Sequence, residues 1–302
     1  MGDARPLEKD ALDYFTHNAG SPNGPIDGGI AVFASGNEYA NSAGFPGAAS
    51  MCVSVAATAA DFTPATYTNY GPGTNISAPG GDRDYYWDYG EGALRGEAGC
   101  VFSTLPYNVS ETGFGYMEGT SMACPHVSGV VALGLSYAAQ QRRHFTADEF
   151  KKLLYETATP IDDYIQGTKF YYRYAYDLGY TNPTQMMLSN YTGQMGVGQV
   201  NAKRLLDAIA QNGTPMRFPN LYIPLDGEVT TLPATFFLNG ESLTYTVTIE
   251  NQAVATSRTE GAKIIFSGLK EGSTKASIAA SDGTTHNFNI TVRKSASGSG
   301  WL

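Results

Sequence analysis

Residues 119–129 read Gly-Thr-Ser-Met-Ala-Cys-Pro-His-Val-Ser-Gly, a turn of small residues that delivers Ser121 onto the start of a long apolar stretch. Gly119 and Thr120 leave open space around the serine, and Met122 to Ala139 carry few charges, which reads as a buried helix. A hydroxyl beside the positive end of a helix suits acyl transfer, because that end stabilises negative charge developing on a nearby oxygen. Such a serine needs a base. The candidates are His17, His126, His144 and His286. His126 follows Ser121 on the same helix and, at about 100° per residue, points to a different face. His17 sits in Thr-His-Asn-Ala-Gly with no second histidine and no strand before it, a poor setting for a base. His144 follows Arg142 and Arg143 in a polar turn, and His286 lies in a separate β-rich region, so both read as solvated.

The elements that must position Ser121 alternate along the chain. Strands are expected near Ile30 to Ser35, Cys52 to Ala57 and Asn75 to Ser77, and helices at Ser121 to Ala139, Ala147 to Thr157 and Asn201 to Ala210. That order predicts an α/β domain over residues 1–213, built on a doubly wound parallel sheet. Ile30 to Ala34 is too apolar to stay a bare sheet edge, so the isolated chain is expected to associate or aggregate through it. Asn212-Gly213, Pro215 and Pro219 mark a change of character. The β-rich runs Leu243 to Ile249, Lys263 to Phe266, Ala276 to Ile278 and Asn287 to Val292, separated by Gly and Asp-Gly turns, predict a small all-β, antiparallel sandwich over 214–294. Residues 295–302 read as a disordered tail.

Composition narrows the partners. The chain has 302 residues and a net charge of −9, which argues against nucleic acid. Its 42% hydrophobic residues suffice for one substantial core and a smaller one. No apolar run reaches membrane-spanning length, and Asp3, Arg5, Glu8, Lys9 and Asp10 interrupt any signal peptide at Met1. Of the 3 cysteines, Cys52 lies in an apolar run and reads as a buried thiol, and no pair has metal-ligand spacing.

The serine turn resembles the catalytic-serine motif of the subtilisin-like serine peptidases, and further blocks agree in order. Ala-Val-Phe-Ala-Ser-Gly-Asn-Glu at 31–38 resembles the family's oxyanion-asparagine block. Then come Gly44-Phe-Pro-Gly47, Val53-Ser-Val-Ala-Ala57, Tyr70-Gly-Pro-Gly73, Ser77-Ala-Pro-Gly80, Ser103-Thr-Leu-Pro106 and Gly198-Gln-Val-Asn-Ala202. The resemblance implies a serine endopeptidase in which Ser121 forms an acyl-enzyme with a peptide or protein substrate and the Asn37 amide donates to the oxyanion. It also implies that Ala34, Ser35 and Gly36 form one wall of the pocket for the side chain before the scissile bond, with Gly44 and Gly47 as its floor. The motif histidine, His126, is structural in the family. Glu118 would place a negative charge near the leaving-group side or remain a solvated loop carboxylate.

The family's Asp-Ser/Thr-Gly turn and His-Gly-Thr-His block do not occur before Asn37. Since the subtilisin order is aspartate, histidine, serine, the pair is expected in an N-terminal half or in a second chain, and this chain alone is expected to be inactive. The alternative is a non-catalytic binding or adhesion protein on a degenerate peptidase scaffold. An insertion at Gly81–Gly99 departs from the family pattern. Its Asp82, Asp84, Asp88 and Glu91 could meet at calcium, a common stabiliser in the family, but their spacing fits no defined loop, so no cofactor and no metal site is expected. Its Tyr85, Tyr86, Trp87 and Tyr89 read as packing onto the domain, or else as a rim for peptide or glycan. Cys100 and Cys124 both flank the serine turn in the family layout and could approach each other. Ala279 to Gly283 and the strand after it resemble the closing hairpin of immunoglobulin-like and cadherin-like modules. Together these features imply a secreted protein, extracellular or at the cell surface.

Overall fold

The computed structural model describes residues 6–20, 24–83, 99–171, 174–175, 179–180, 184–215 and 218–294. The chain divides into two compact units. The first comprises residues up to Ala19, Gly28–Ser136 and Thr146–Gln211; the second takes Gly20–Asp27, Tyr137–Phe145 and the chain from Asn212 onward.

In the first unit, strands β1 (Val32–Ala34), β2 (Val53–Thr58) and β3 (Ile76–Pro79) form a parallel sheet in the order β1-β2-β3. The register sets Val32 beside Val53 and Val55 beside Ile76. Every residue of β2 is buried, which its Val-Ser-Val-Ala-Ala-Thr sequence permits because small and β-branched side chains fill both faces of a covered parallel strand. Beyond β3, the Ser77 N–H donates to Gly198 O and the Val200 N–H to Ser77 O, both at 2.9 Å. β1 is thus an edge of this sheet, and its three residues are only half-buried.

Three of the helices are close to expectation: α2 (Thr120–Gln140), α3 (Ala147–Glu156) and α4 (Ala202–Ile209). Thr146 and Glu149 make a reciprocal capping box for α3, and Asn201 Oδ1 accepts the Arg204 N–H to start α4. A further helix, α1 (Pro6–Asn18), was not anticipated; its side chains are mostly exposed, so no apolar stripe announces it.

Two expectations fail at α2. It is not a fully buried helix: Ala123, Val127, Val131, Gly134 and Ala138 are buried, whereas Gly129, Ala132, Leu133 and Ser136 face outward. Gly134 is required where it stands, since a Cβ there would meet Phe150, Leu205 and Ile209 at 2.9–3.2 Å. The helix is also long and apolar enough to cross a membrane by length and composition, with a mean hydropathy of 1.3 over its most apolar stretch, of which 28% is buried. Its Ser, Gly and His residues interrupt that apolar run in the sequence.

The second unit holds a sandwich of two sheets. β4 (Leu221–Pro224), β5 (Glu228–Thr231), β6 (Tyr245–Ile249), β7 (Ala255–Glu260), β8 (Lys263–Gly268), β9 (Gly272–Ala280) and β10 (Thr285–Arg293) assemble as β4-β10-β9-β6 and β5-β8-β7. Alternate residues of β9 and β10 are buried, so Ala276, Ile278, Phe288 and Ile290 join Leu221, Ile223, Ile264 and Phe266 in one core. The sandwich is not purely antiparallel. β4 and β10 pair in parallel, Leu221 beside Ile290, because they are the first and last strands of the module and need no tight turn between them.

Candidate active site

Ser121 lies at the start of α2 and is exposed, directly after the buried Gly119 and Thr120. The turn before it is held from three directions. Tyr67 is buried, and its hydroxyl accepts the Gly119 N–H at 2.9 Å while lying 2.9 and 2.6 Å from the carbonyl oxygens of Gly80 and Gly81. The Gly119 N–H also reaches Gly80 O at 3.0 Å. Burial pushes the Tyr67 phenol far above its ordinary pKa, so it stays a neutral hydrogen-bonding group. Glu118, read from the sequence either as a charge near the leaving group or as a solvated loop carboxylate, accepts the Arg83 N–H.

The third support is Asn37, from the loop after β1. Its Oδ1 accepts from the Thr120 N–H at 2.9 Å and the Thr120 hydroxyl at 2.8 Å, while the Gly36 N–H donates to Thr120 Oγ1 at 3.3 Å. With the acceptor end engaged, the Nδ2 donor remains, on the side where a Cβ on Gly119 would lie 3.7 Å away. Gly36 adopts φ +112°, and a Cβ there would strike Asn69 and Glu38, so glycine is obligatory at this bend. Buried Asn69 shapes the same loop: its Oδ1 accepts the N–H groups of Glu38 and Ala40 at 2.9 and 3.0 Å, and its Nδ2 donates to Ser35 O and to the Glu38 carboxylate. Tyr67 and Asn69 were not singled out from the sequence. The signal was there in the polar run Thr66 to Asn69, which has no reason to be buried unless it organises backbone.

The other expected site residues converge through main chain. The Gly44 N–H donates to Ser35 O at 2.7 Å, which joins the 34–36 segment to the 44–47 turn. Ser35 is fully buried and its hydroxyl donates to Asn69 O, so only its backbone is available to a pocket. Gly47 is buried, with Ala34 O 3.2 Å from where its Cβ would be.

No described histidine or carboxylate hydrogen-bonds to Ser121 Oγ. His126 is exposed with Nδ1 2.8 Å from Met122 O, and His17 is exposed with Nδ1 2.8 Å from Asp13 O. The other two histidines are not solvated, contrary to expectation. His144 is 7% exposed, with Nε2 3.1 Å from Asp27 Oδ2 and Nδ1 2.9 Å from Gly24 O. His286 is 9% exposed, with Nε2 3.1 Å from Phe236 O and its ring edge-on to Phe237. Polar sequence neighbours hid both, because burial there comes from residues distant in sequence.

Asp82 does not face outward toward a cation. It is fully buried, 2.6 Å from Lys169 Nζ, and accepts from the Thr66 N–H and hydroxyl at 3.0 and 2.8 Å. Asp84, Asp88, Glu91 and the Tyr85, Tyr86, Trp87 and Tyr89 cluster lie outside the described residues, and no metal-ligating cluster occurs among the described ones. Cys52, Cys100 and Cys124 form no disulfide, so Cys100 and Cys124 are not joined, and burial raises the pKa of each.

An exposed serine at a helix start, a pinned asparagine amide beside it and a buried glycine turn are groups of the kind that acyl transfer uses. The sequence profile of the subtilase family matches residues 3–213. The chain belongs to the subtilase family. It is similar to alkaline elastase YaB of Bacillus sp. (strain YaB), 33% identical over 139 residues, which is 46% of this chain and 30% of that protein. It is similar to an extracellular protease of Xanthomonas campestris pv. campestris, 35% identical over 121 residues, covering 38% of this chain and 18% of the relative. Among solved structures, a protease from Pseudoalteromonas arctica aligns over 69% of this subtilase chain and 48% of its own, with 25% identity and a TM-score of 0.47. The chain therefore spans less than a third of the length of these curated relatives.

Proposed function

We propose that this subtilase chain is the C-terminal part of a serine endopeptidase, carrying the nucleophile and the oxyanion donor but not the base. Ser121 attacks the peptide carbonyl and becomes acylated, and Asn37 Nδ2 donates to the oxyanion. Ala34 to Gly36, with Gly44 and Gly47, line the pocket for the residue before the scissile bond. A histidine takes the serine proton and an aspartate orients it. Both come from an N-terminal half, or from a second polypeptide, that pairs with β1 and covers the outward face of α2. The observation that carries this reading is the pinned Asn37: both polar hydrogens of Thr120 are given to Oδ1, which keeps the amide nitrogen for a substrate oxygen.

On this reading the β-sandwich of 214–294 is an accessory module of the immunoglobulin-like kind, and the enzyme works on peptide or protein substrates outside the cell or at its surface. The absence of a base at Ser121 among the described residues also fits a binding protein on a degenerate scaffold. One experiment separates the two. A fluorophosphonate probe should label the isolated chain slowly. It should label it rapidly at Ser121, and not in Ser121→Ala, after co-refolding with an N-terminal half that carries the aspartate and histidine motifs. Rapid labelling of the isolated chain sinks the claim of inertness, and no labelling after complementation favours the degenerate scaffold.

A further inference from the structure

The two outer faces of the sandwich use their polar side chains differently. On the three-stranded sheet they satisfy one another: Arg258 pairs with Glu228 at 2.5 Å and with Glu260 at 3.0 Å, and Ser267 donates to Glu228 at 3.0 Å. On the four-stranded sheet a groove of about 540 Å³ opens across β10, β9 and β6. The register sets its outward side chains in two rows. Thr248 stands beside Ser277, and Ser277 beside Asn287. The Glu250 N–H bonds Lys275 O at 3.0 Å, and Lys275 stands beside Asn289. At the margin, Asn220 Oδ1 accepts the Asn289 N–H at 2.8 Å.

Among the described residues, none of the side chains in these two rows hydrogen-bonds to another, whereas the next row along is closed by Ser273 and Thr291 at 3.1 Å. The groove therefore presents amides and hydroxyls, each able to donate and accept, with one acid and one base of opposite sign. Adjacent strands are about 4.8 Å apart and same-face neighbours along a strand about 7 Å, a spacing on the scale of a pyranose ring and its hydroxyls. Among its lining residues the groove pairs one cation, Lys275, with one acid, Glu250, so it offers a polyanion no net positive charge, and the donor-rich floor does not suit an apolar ligand. Tyr222 lies two residues from Asn220 on the same face, 61% exposed, with the Arg293 guanidinium 5.3 Å from its ring centre. It supplies an apolar platform at the end of the polar floor.

We infer that this groove binds an uncharged polysaccharide. The inference is independent of the chemistry at Ser121, so it is tested on the full chain carrying Ser121→Ala. Affinity electrophoresis with hydroxyethyl-cellulose, galactomannan and dextran should retard the protein in at least one gel. The double variant Asn287→Ala/Asn289→Ala should weaken that binding at least tenfold, with an unchanged circular dichroism spectrum, because both side chains are exposed. Asn287→Asp, which keeps the shape and adds a charge, should weaken it as well. Retardation in none of the three gels, retardation that survives both variants, or binding to alginate alone overturns the inference.

Discussion

The two units close their cores to different degrees. In the sandwich the two sheets face each other and leave Phe266, Ile278 and Ile290 with no exposed surface. In the peptidase unit the central strand β2 is equally sealed, yet β1 at the sheet edge is half-exposed and α2 turns Leu133 outward at 50% exposure. The half-exposed edge strand β1 runs directly into the loop that carries Asn37. The difference teaches that the turn that places Ser121 is held by buried hydrogen bonds, whereas the sheet edge at β1 and the outward face of α2 are uncovered within this unit.

The buried part can be broken first. Lys169 and Asp82 are a buried ion pair with every Lys169 donor engaged: Asp82 Oδ2 at 2.6 Å, Thr63 Oγ1 at 3.0 Å and Pro64 O at 2.8 Å. Lys169→Met should leave an uncompensated buried carboxylate and cost about 3–5 kcal/mol in urea unfolding of the peptidase unit. The double variant Lys169→Met/Asp82→Leu should recover most of it, since a packed apolar pair of similar volume is often neutral. If both variants are equally destabilised, the pair is not what holds this part of the unit.

The proposed oxyanion donor, Asn37, comes next. In the complemented enzyme Asn37→Leu should lower kcat by about a hundredfold to a thousandfold with KM little changed, the loss known for the corresponding asparagine of subtilisin. Because Asn37 Oδ1 also holds the buried Thr120, the isolated chain should lose about 1–3 kcal/mol of unfolding free energy as well. A drop in KM-controlled binding with kcat intact would place Asn37 in substrate contact rather than in transition-state stabilisation.

Much of the site is legible in the sequence because it is written in residues with backbone constraints. Gly36 and Gly119 hold φ of +112° and +145°, and α2 starts at Thr120 directly after Gly119. The three parallel strands and helices α2 to α4 were visible for a similar reason: apolar periodicity is local. What the sequence concealed depends on partners far along the chain. Tyr67 meets Gly119, Asn69 meets Ser35, and Lys169 meets Asp82 only once the sheet is assembled. His144 and His286 read as solvated because their neighbours in sequence are polar, while their burial comes from Gly24 and Asp27 in one case and from Phe236 and Phe237 in the other.

The closed sandwich has a pH signature of its own. Burial lowers the pKa of His286 from 6.5, with the bond to Phe236 O opposing in part. The unfolded chain therefore takes up the proton first as pH falls. The contribution of neutral His286 to stability is fully present above pH 6.5 and is lost as pH drops through the folded value. Urea unfolding of the sandwich should weaken from pH 7.5 to pH 5, and His286→Gln should flatten that slope. A slope unchanged by the substitution would assign the pH dependence to other groups.

The smallest effect on stability is expected where the comparison is sharpest. Leu133 lies on the face of α2 that nothing in the peptidase unit covers, so Leu133→Asp should change the unfolding free energy of the isolated chain by no more than about 0.5 kcal/mol. Ile278→Asp in the closed sandwich core would put an unpaired charge where there is no exposed surface and should unfold that unit. The two substitutions are chemically alike, and only the cover differs. If the open face of α2 is where an N-terminal half docks, Leu133→Asp should nonetheless abolish complementation, because association would bury the same carboxylate without a partner. An isolated chain that is monodisperse and monomeric in light scattering, and a Leu133→Asp chain that complements as well as the parent, would together show that this face needs no cover.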